Sequence, residues 1–275
     1  WNNHVELANW ADLMIIAPAT SNILSLLSSG ECKNILVASY LSCKCDIYIA
    51  PAMDLEMFNH PTNKANINKL KKIGNYILPS PKGPLASGLN GKGRMLEPDE
   101  IVKRIENNMI SKLPMRNLKV LITAGPTHEY IDPVRYISNG SSGLMGFELA
   151  KACLNLGAKV VLITGPTFLK LGDERLKLIN ITSALEMYNE VLKKYKKVDI
   201  IIFAAAVADF TPKKIFDSKI KKENIFNNIA LKKTVDILKY LGQNKKNQII
   251  IGFALETENE IENAIKKIKN KNLDA

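Results

Sequence analysis

The 275-residue chain contains no apolar run approaching the roughly 18 to 20 residues needed to cross a bilayer, so no membrane-spanning helix is expected. No secretory signal is visible, although the chain starts at Trp1 rather than Met, which is expected to reflect missing N-terminal sequence. The usual glycine-rich phosphate loops are absent: there is neither G-x-x-x-x-G-K-[ST] nor G-x-G-x-x-G, and the second absence disfavours a nicotinamide-dependent dehydrogenase. Cysteine is scarce. Cys32, Cys43, Cys45 and Cys153 lack the paired C-x-x-C spacing of a zinc site and read as buried, reduced thiols of a cytoplasmic protein. Internal repeats and low-complexity tracts are also lacking.

What is present fits a globular protein. Hydrophobic residues make up 46% and charged residues 24%, and the length suits two ordinary domains. A formal net charge of +11 raises nucleic-acid binding, but the lysines (69, 71 and 72; 193, 194, 196 and 197; 266, 267, 269 and 271) are spread over solvated helix faces. The reading is therefore no nucleic acid and no membrane, with a positive field suited to small anionic substrates.

Strand and helix signals alternate. Apolar runs ending in proline at 13–18 and 46–51 read as buried strands, with helices at 22–28, 32–41, 61–73 and 97–109, a short strand at 76–78, and a long loop or flap at 79–93. Residues 113–117 read as a linker. A second series follows, with strands at 120–123, 159–164, 177–180, 200–204 and 249–253 and helices at 145–156, 183–195, 235–241 and 258–271. Such alternation implies an α/β fold: two Rossmann-like or flavodoxin-like three-layer domains with mostly parallel sheets, whose ligands sit beyond the carboxyl ends of the strands.

One segment lies at such an edge. Asp132-Pro133-Val134-Arg135-Tyr136-Ile137-Ser138-Asn139-Gly140-Ser141-Ser142-Gly143-Leu144-Met145-Gly146 joins a strand to a helix through small hydroxyl and glycine residues. Unpaired N–H groups at a helix start, together with the helix dipole, favour an anion there.

Several further segments occur in a telling order: Asn3-His4-Val5-Glu6-Leu7, Ala17-Pro18-Ala19-Thr20, Pro51-Ala52-Met53-Asp54-Leu55-Glu56-Met57, Gly91-Lys92-Gly93-Arg94-Met95 and Ile122-Thr123-Ala124-Gly125-Pro126-Thr127. After the segment at 132–146 come Ala204-Ala205-Ala206-Val207-Ala208-Asp209-Phe210, Lys219-Ile220-Lys221-Lys222, Gly252-Phe253-Ala254 and Lys271-Asn272-Leu273-Asp274. With these, the chain resembles the bifunctional coenzyme A biosynthesis family. Residues 1–115 resemble the C-terminal part of its flavin-dependent phosphopantothenoylcysteine decarboxylase domain, and 116–275 its phosphopantothenate–cysteine ligase domain. By the resemblance, further sequence would lie before Trp1 and after Ala275, so the chain is expected to be cut at both ends.

The resemblance implies a ligase that activates 4′-phosphopantothenate with CTP and Mg²⁺ and then joins it to cysteine. Asn139 would stabilise the acyl-cytidylate, Ser141, Ser142 and Gly143 would cradle phosphate, and Lys219 would meet the triphosphate or the reacting carboxyl. Phe203, Ala204, Ala205, Asp209, Val235, Asp236, Ile237, Leu238, Phe253, Lys267 and Lys271 would shape the nucleotide pocket; Val235 stands where relatives usually carry Pro. For the decarboxylase the resemblance implies FMN, contacted by Ala17, Pro18, Ala19, Thr20 and Asn22. His4 would be the active-site histidine, and Met53, Asp54 and Met57 would bind substrate. It also implies a homo-oligomer. Metal ligands are not legible.

Two positions depart from the pattern. Asp54 stands where Asn is common, which removes an amide donor and adds a negative charge. Ser87, within Ala86-Ser87-Gly88, stands where the family carries a flap cysteine, and a hydroxyl is a far weaker acid than a thiol. These departures keep open a ligase whose decarboxylase half only scaffolds, and the resemblance, to a family that includes regulatory subunits, keeps open a non-enzymatic relative. Without the resemblance the residues read blandly: Asn139 as a turn residue, Lys219 as a solvated charge, Asp209 as a helix cap, Phe253 as core and His4 as surface.

Overall fold

The computed structural model describes residues 3–221, 228–254 and 258–275. They fall into two compact units, Trp1–Met109 and Ile110–Ala275. No helix among the described residues is long and apolar enough to cross a membrane.

The first unit runs α1 (Asn3–Trp10), β1 (Leu13–Ala19), α2 (Ser21–Ser29), α3 (Ile35–Ser42), β2 (Asp46–Pro51), α4 (Leu55–Asn59), α5 (Pro61–Lys72), β3 (Tyr76–Ile77), β4 (Lys82–Pro84), β5 (Asn90–Lys92) and α6 (Pro98–Ser111). Strands β1, β2 and β3 pair in that order and in parallel, with Ile16 opposite Ile49 and Ala19 opposite Pro51. Successive side chains of a strand face opposite sides. Ile49 accordingly packs with Leu24 and Leu27 of α2, Val37 of α3 and Leu70 of α5, while its neighbours Tyr48 and Ala50 pack with Ile101 and Ile105 of α6. Local signals bound the helices: Thr20 caps α2, Gly30 ends it with φ +77°, Asn34 caps α3, and Pro61 opens α5.

The second unit runs β6 (Lys119–Ala124), β7 (Glu129–Tyr130), β8 (Tyr136–Ile137), α7 (Leu144–Asn155), β9 (Lys159–Thr164), β10 (Leu176–Asn180), α8 (Ala184–Lys194), β11 (Ile200–Phe203), β12 (Phe210–Pro212), β13 (Leu231–Lys233), α9 (Ile237–Asn244), β14 (Ile249–Gly252) and α10 (Glu260–Lys271). Five parallel strands are ordered β10-β9-β6-β11-β14. One face of this sheet packs on Phe147, Ala150 and Leu154 of α7; the other packs on Met187 and Val191 of α8 and Ile237 and Leu241 of α9. The expected three-layer α/β architecture with a mostly parallel sheet is present.

Differences from expectation are local. The flap at 79–93 contains a small antiparallel hairpin, β4–β5, with Lys82 opposite Lys92. Helices α1 and α4 and the hairpins β7–β8 and β12–β13 were not anticipated, because elements of two to eight residues carry too few apolar positions to show a period. Helix α3 starts at Ile35 rather than Cys32, since Asn34 accepts the Val37 amide hydrogen bond and fixes the start there. The thiols are free, but only Cys153 is buried; Cys32 is exposed because it precedes that helix on a surface turn, and Cys43 and Cys45 are half-buried.

The start of α7 lies close against the end of β6, and a Cβ on Gly146 would come within 2.4 Å of the Ala124 Cβ. Gly146→Ala is therefore expected to push the helix off the strand and cost about 1–3 kcal/mol. A urea titration reads this; an unchanged midpoint would contradict the close approach.

Candidate functional site

In the second unit the chain builds β6, β9 and β10 outward in one direction, then returns to place β11 and β14 on the other side of β6. The strand order thus reverses between β6 and β11. In open parallel sheets the crevice beyond the carboxyl ends at such a reversal is where ligands bind. Here it is bounded by residues 123–127 after β6 and 203–209 after β11. These two segments are laced together: the Ala206 amide donates to Gly125 O (2.9 Å), and the Ala208 amide to Thr127 Oγ1 (3.0 Å). The Phe253 amide donates to Phe203 O (3.2 Å), which brings the end of β14 alongside.

The glycine- and serine-rich segment enters the same crevice. Asn139 is exposed, and its Nδ2 donates to Val207 O at 2.9 Å. Ser141 Oγ and Ser142 Oγ accept from the Gly143 and Leu144 amides at 3.2 and 3.3 Å. This modifies the cradle read from sequence, because two of the backbone donors at the start of α7 are already taken by neighbouring hydroxyls. Thr167 Oγ1 donates to Ser142 O (2.8 Å) and steadies the same loop.

Asp132 anchors the segment. Its side chain is fully buried and accepts from the Val134 and Arg135 amides (both 2.9 Å), from Arg135 Nε (2.9 Å) and from the Ile220 amide (3.3 Å). Burial pushes the Asp132 pKa up, but these backbone donors and the Arg135 guanidinium outweigh it and hold the carboxyl well below the usual carboxylate range. Arg135 Nη2 also donates to Ile220 O (2.8 Å). The Ile220 backbone is thereby held from both sides, which fixes the position of the exposed Lys219 beside it. Lys222, the last residue of that lysine segment, lies outside the described residues.

The remaining nucleotide-pocket candidates differ in exposure and partners. Phe203 is buried, Ala204 and Ala205 are half-buried, and Asp209 is exposed, with its carbonyl accepting from the Thr234 amide (2.9 Å). Val235 is exposed and follows Thr234; Asp236 caps α9 through the Lys239 amide (3.0 Å), so Ile237 and Leu238 form the first turn of that helix. Phe253 is 49% exposed, which is unusual for an aromatic ring at a strand end and contradicts the bland reading of it as core. Lys271 pairs with Asp236 at 3.0 Å, so these two candidates satisfy each other's charge. Lys267 stands exposed on α10.

In the first unit the turns after β1 and β2 share one sheet edge. Ala17 and Pro18, joined by a cis peptide, are exposed; Ala19 is buried; Thr20 and Asn22 expose polar side chains at the start of α2. The Ala52 amide donates to Ala19 O (2.9 Å), tying the second turn to the first. Met53 and Asp54 follow directly, and Met57 is 47% exposed on α4. Asp54 Oδ1 accepts from the Leu55 amide (2.7 Å) and from Ser87 Oγ (2.8 Å). His4 stands half-buried on α1, which packs against α3.

The profile of the DNA/pantothenate metabolism flavoprotein C-terminal domain matches residues 115–275, and the Flavoprotein profile matches 2–110. The chain belongs to the DNA/pantothenate metabolism flavoprotein family. Within that family it is 45% identical to the coenzyme A biosynthesis bifunctional protein CoaBC of Bacillus subtilis (strain 168), over 99% of this chain and 68% of the relative. It is 46% identical to CoaBC of Borreliella burgdorferi, over 98% of this chain and 70% of that one. A cysteine/cysteine sulfinic acid decarboxylase from an unknown prokaryotic organism is 48% identical, over 100% of this chain and 78% of its own length. Among solved structures, the C-terminal domain of a CoaBC is similar with a TM-score of 0.51 and 44% identity, over 58% of this chain and 75% of that one. The DNA/pantothenate metabolism flavoprotein of Streptococcus pneumoniae gives a TM-score of 0.52 at 26% identity, over 57% and 80%.

Some site-building residues of this family member were not legible in sequence. Thr127 and Thr234 fasten the 204–209 segment from two sides, since Thr234 Oγ1 also donates to Ala208 O (2.7 Å). Asn63, 6% exposed on α5, accepts from Ser21 Oγ (2.8 Å) and donates to Met57 O (2.7 Å), joining the start of α2 to α4. The only sequence signal for Asn63 was an amide in a helix otherwise lined by Ile67 and Leu70.

The depressed Asp132 pKa sets a pH dependence. A carboxylate whose folded pKa is lowered contributes stability that is fully present above its unfolded value of ~3.9 and is lost as pH falls through the folded value. The stability gap between wild type and Asp132→Asn is thus expected to be full near neutrality and to close as pH drops below ~3.9. Denaturant titrations across that range would refute it by showing a constant gap.

Proposed function

We propose that this chain acts in coenzyme A biosynthesis, with 116–275 as the CTP-dependent phosphopantothenate–cysteine ligase portion and 1–115 as the FMN-dependent phosphopantothenoylcysteine decarboxylase portion. The observation that carries the reading is 45% identity to a bifunctional CoaBC over 99% of the chain. A cytoplasmic homo-oligomer goes with it.

In the ligase, the carboxylate oxygen of 4′-phosphopantothenate attacks the α-phosphorus of CTP and pyrophosphate leaves. The amine of cysteine then attacks the acyl carbon, giving the amide and CMP. Asn139 suits the charge that develops on the acyl group. Its Nδ2 carries two hydrogens; one goes to Val207 O, and the other is left to meet an oxyanion in the crevice. Lys219, its backbone fixed by Asp132 and Arg135, supplies positive charge for the triphosphate. Phe253 offers an exposed ring to the base. Among the described residues no three His, Cys, Asp or Glu side chains gather as a metal cluster, so Mg²⁺ would be held chiefly by the triphosphate oxygens.

In the decarboxylase portion, the small exposed Ala17 and Pro18 and the polar Thr20 and Asn22 fit a flat ring system with a polar edge, as FMN has. FMN supplies, when bound, reversible two-electron oxidation of the substrate's thiol-bearing carbon, which makes loss of CO₂ easy. Met53, Asp54 and Met57 hold the substrate, His4 serves as acid–base group, and Ser87, in place of a thiol, holds a water that delivers the final proton.

A second reading is favoured by one residue. The carboxylate of Asp54 suits the free ammonium of an unacylated amino acid better than the amide of phosphopantothenoylcysteine, and one relative at 48% identity is a cysteine/cysteine sulfinic acid decarboxylase. CO₂ release measured with phosphopantothenoylcysteine, cysteine and cysteine sulfinic acid in turn separates the two.

For the ligase, Asn139→Asp removes the donor and adds a repelling charge. It is expected to lower CTP-dependent amide formation roughly 10²–10³-fold. Amide formation by this variant at the wild-type rate would remove Asn139 from the reaction.

A further inference from the structure

The two departures from the family pattern in the first unit, Asp54 and Ser87, are 33 residues apart in sequence and hydrogen-bonded in space: Ser87 Oγ donates to Asp54 Oδ1 at 2.8 Å. Ser87 lies on the tip between β4 and β5, a turn closed by the Leu85 amide to Leu89 O (2.8 Å) and the Gly88 amide to Leu85 O (3.0 Å). The foot of the same hairpin touches the same segment. The Met53 amide donates to Gly93 O (2.9 Å), a Cβ on Gly93 would lie 2.2 Å from Met53 O, and a Cβ on Gly91 would lie 2.6 Å from Leu55 Cδ1. The hairpin is thus fitted at its foot by backbone contact and pinned at its tip by one side-chain bond.

We infer that Asp54, besides facing the substrate, positions Ser87, so that carboxylate and hydroxyl form one unit that latches the β4–β5 hairpin over residues 53–55 and orients the serine hydroxyl. The inference rests on the decarboxylase reading of this unit. A hydroxyl in place of a thiol is a poor acid, but with its one hydrogen held by the Asp54 carboxylate in a charge-assisted bond its lone pairs are oriented to accept from a water or a substrate donor. Oδ1 serves both the Leu55 amide and Ser87, while Oδ2 has no partner among the described residues and remains open to a substrate N–H or O–H group. The pair also explains why the two departures occur together. A thiol at position 87 beside a carboxylate at 54 would have its ionisation opposed by the neighbouring negative charge. Asn with Cys, or Asp with Ser, avoids that conflict.

The test is a double-mutant cycle on the full-length protein, with Asp54→Ala, Ser87→Ala and both together. In the FMN-loaded protein, Ser87→Ala is expected to lower kcat for CO₂ release from phosphopantothenoylcysteine roughly 10²-fold in the wild-type background. In the Asp54→Ala background the same change is expected to cost less than about 2-fold. In flavin-free protein, hydrogen exchange at the Leu85 and Gly88 amides should rise equally in either single variant and no further in the double. The paired change Asp54→Asn with Ser87→Cys should restore turnover that Ser87→Cys alone does not. Equal losses from Ser87→Ala in both backgrounds, or additive exchange, overturn the unit. A wild-type protein that releases no CO₂ from this substrate instead sinks the decarboxylase reading and Asp54's part in it, while the exchange measurement still judges the latch.

Discussion

The pairing of β6 with β11 is the constraint on which the second unit depends. Ile200 to Phe203 lie in register with Val120 to Thr123, and every one of these side chains except Ile200 is buried. Parallel strands of this kind cannot be joined by a tight turn, and here the chain leaves β6, builds β9 and β10, and comes back. That return makes the strand order reverse between β6 and β11, and beyond the strand ends the two following segments run side by side, with the Ala206 amide donating to Gly125 O. Asn139 on one segment and Val207 on the other meet there because the sheet puts them there. The chemistry proposed for this edge is therefore a consequence of hydrophobic pairing several residues below it.

Electrostatics in the same crevice depends on placement more than on total charge. A formal charge of +11 would by itself predict attraction for any polyanion. Yet several cations are already spoken for: Lys271 pairs with Asp236, Lys245 with Asp274, and Arg135 with the buried Asp132. Lys219 is different. It pairs with no carboxylate among the described residues, and its neighbour Ile220 is held at both N–H and C=O. Fixing a backbone and leaving the adjacent cation open is an inexpensive way to present charge, because the ordering entropy is met by folding rather than by ligand.

Much of the fold was legible because long, buried parallel strands appear in sequence as unbroken apolar runs. The strands at 46–51 and 159–164 agree with Asp46–Pro51 and Lys159–Thr164 to the residue. Hairpins β4–β5, β7–β8 and β12–β13 are not legible in sequence because strands of two or three residues show no alternation, and their pairing is decided by tertiary contact. The candidate site was legible only through ordered motifs resembling a family. Residue chemistry alone reads Asn139 as a turn and Phe253 as core, and the exposure of Phe253 is what removes the second of those. Asp132 illustrates the opposite limit. Nothing in the string Asp-Pro-Val-Arg announces that its carboxylate will be fully buried and will reach a residue 88 positions away.

The first unit shows how a departure from a pattern can be misjudged one residue at a time. Asp for Asn at position 54 adds a charge that an anionic substrate would oppose, and Ser for Cys at 87 removes an acid; taken singly, each weakens the case for catalysis. In space they are neighbours, and the charge has a donor while the hydroxyl has an acceptor. Neither the carboxylate oxygen nor the hydroxyl is then left unmatched, and the hairpin gains a tie that an alanine at either position could not provide. Departures that satisfy each other in this way weigh less against the proposed activity than two independent losses would.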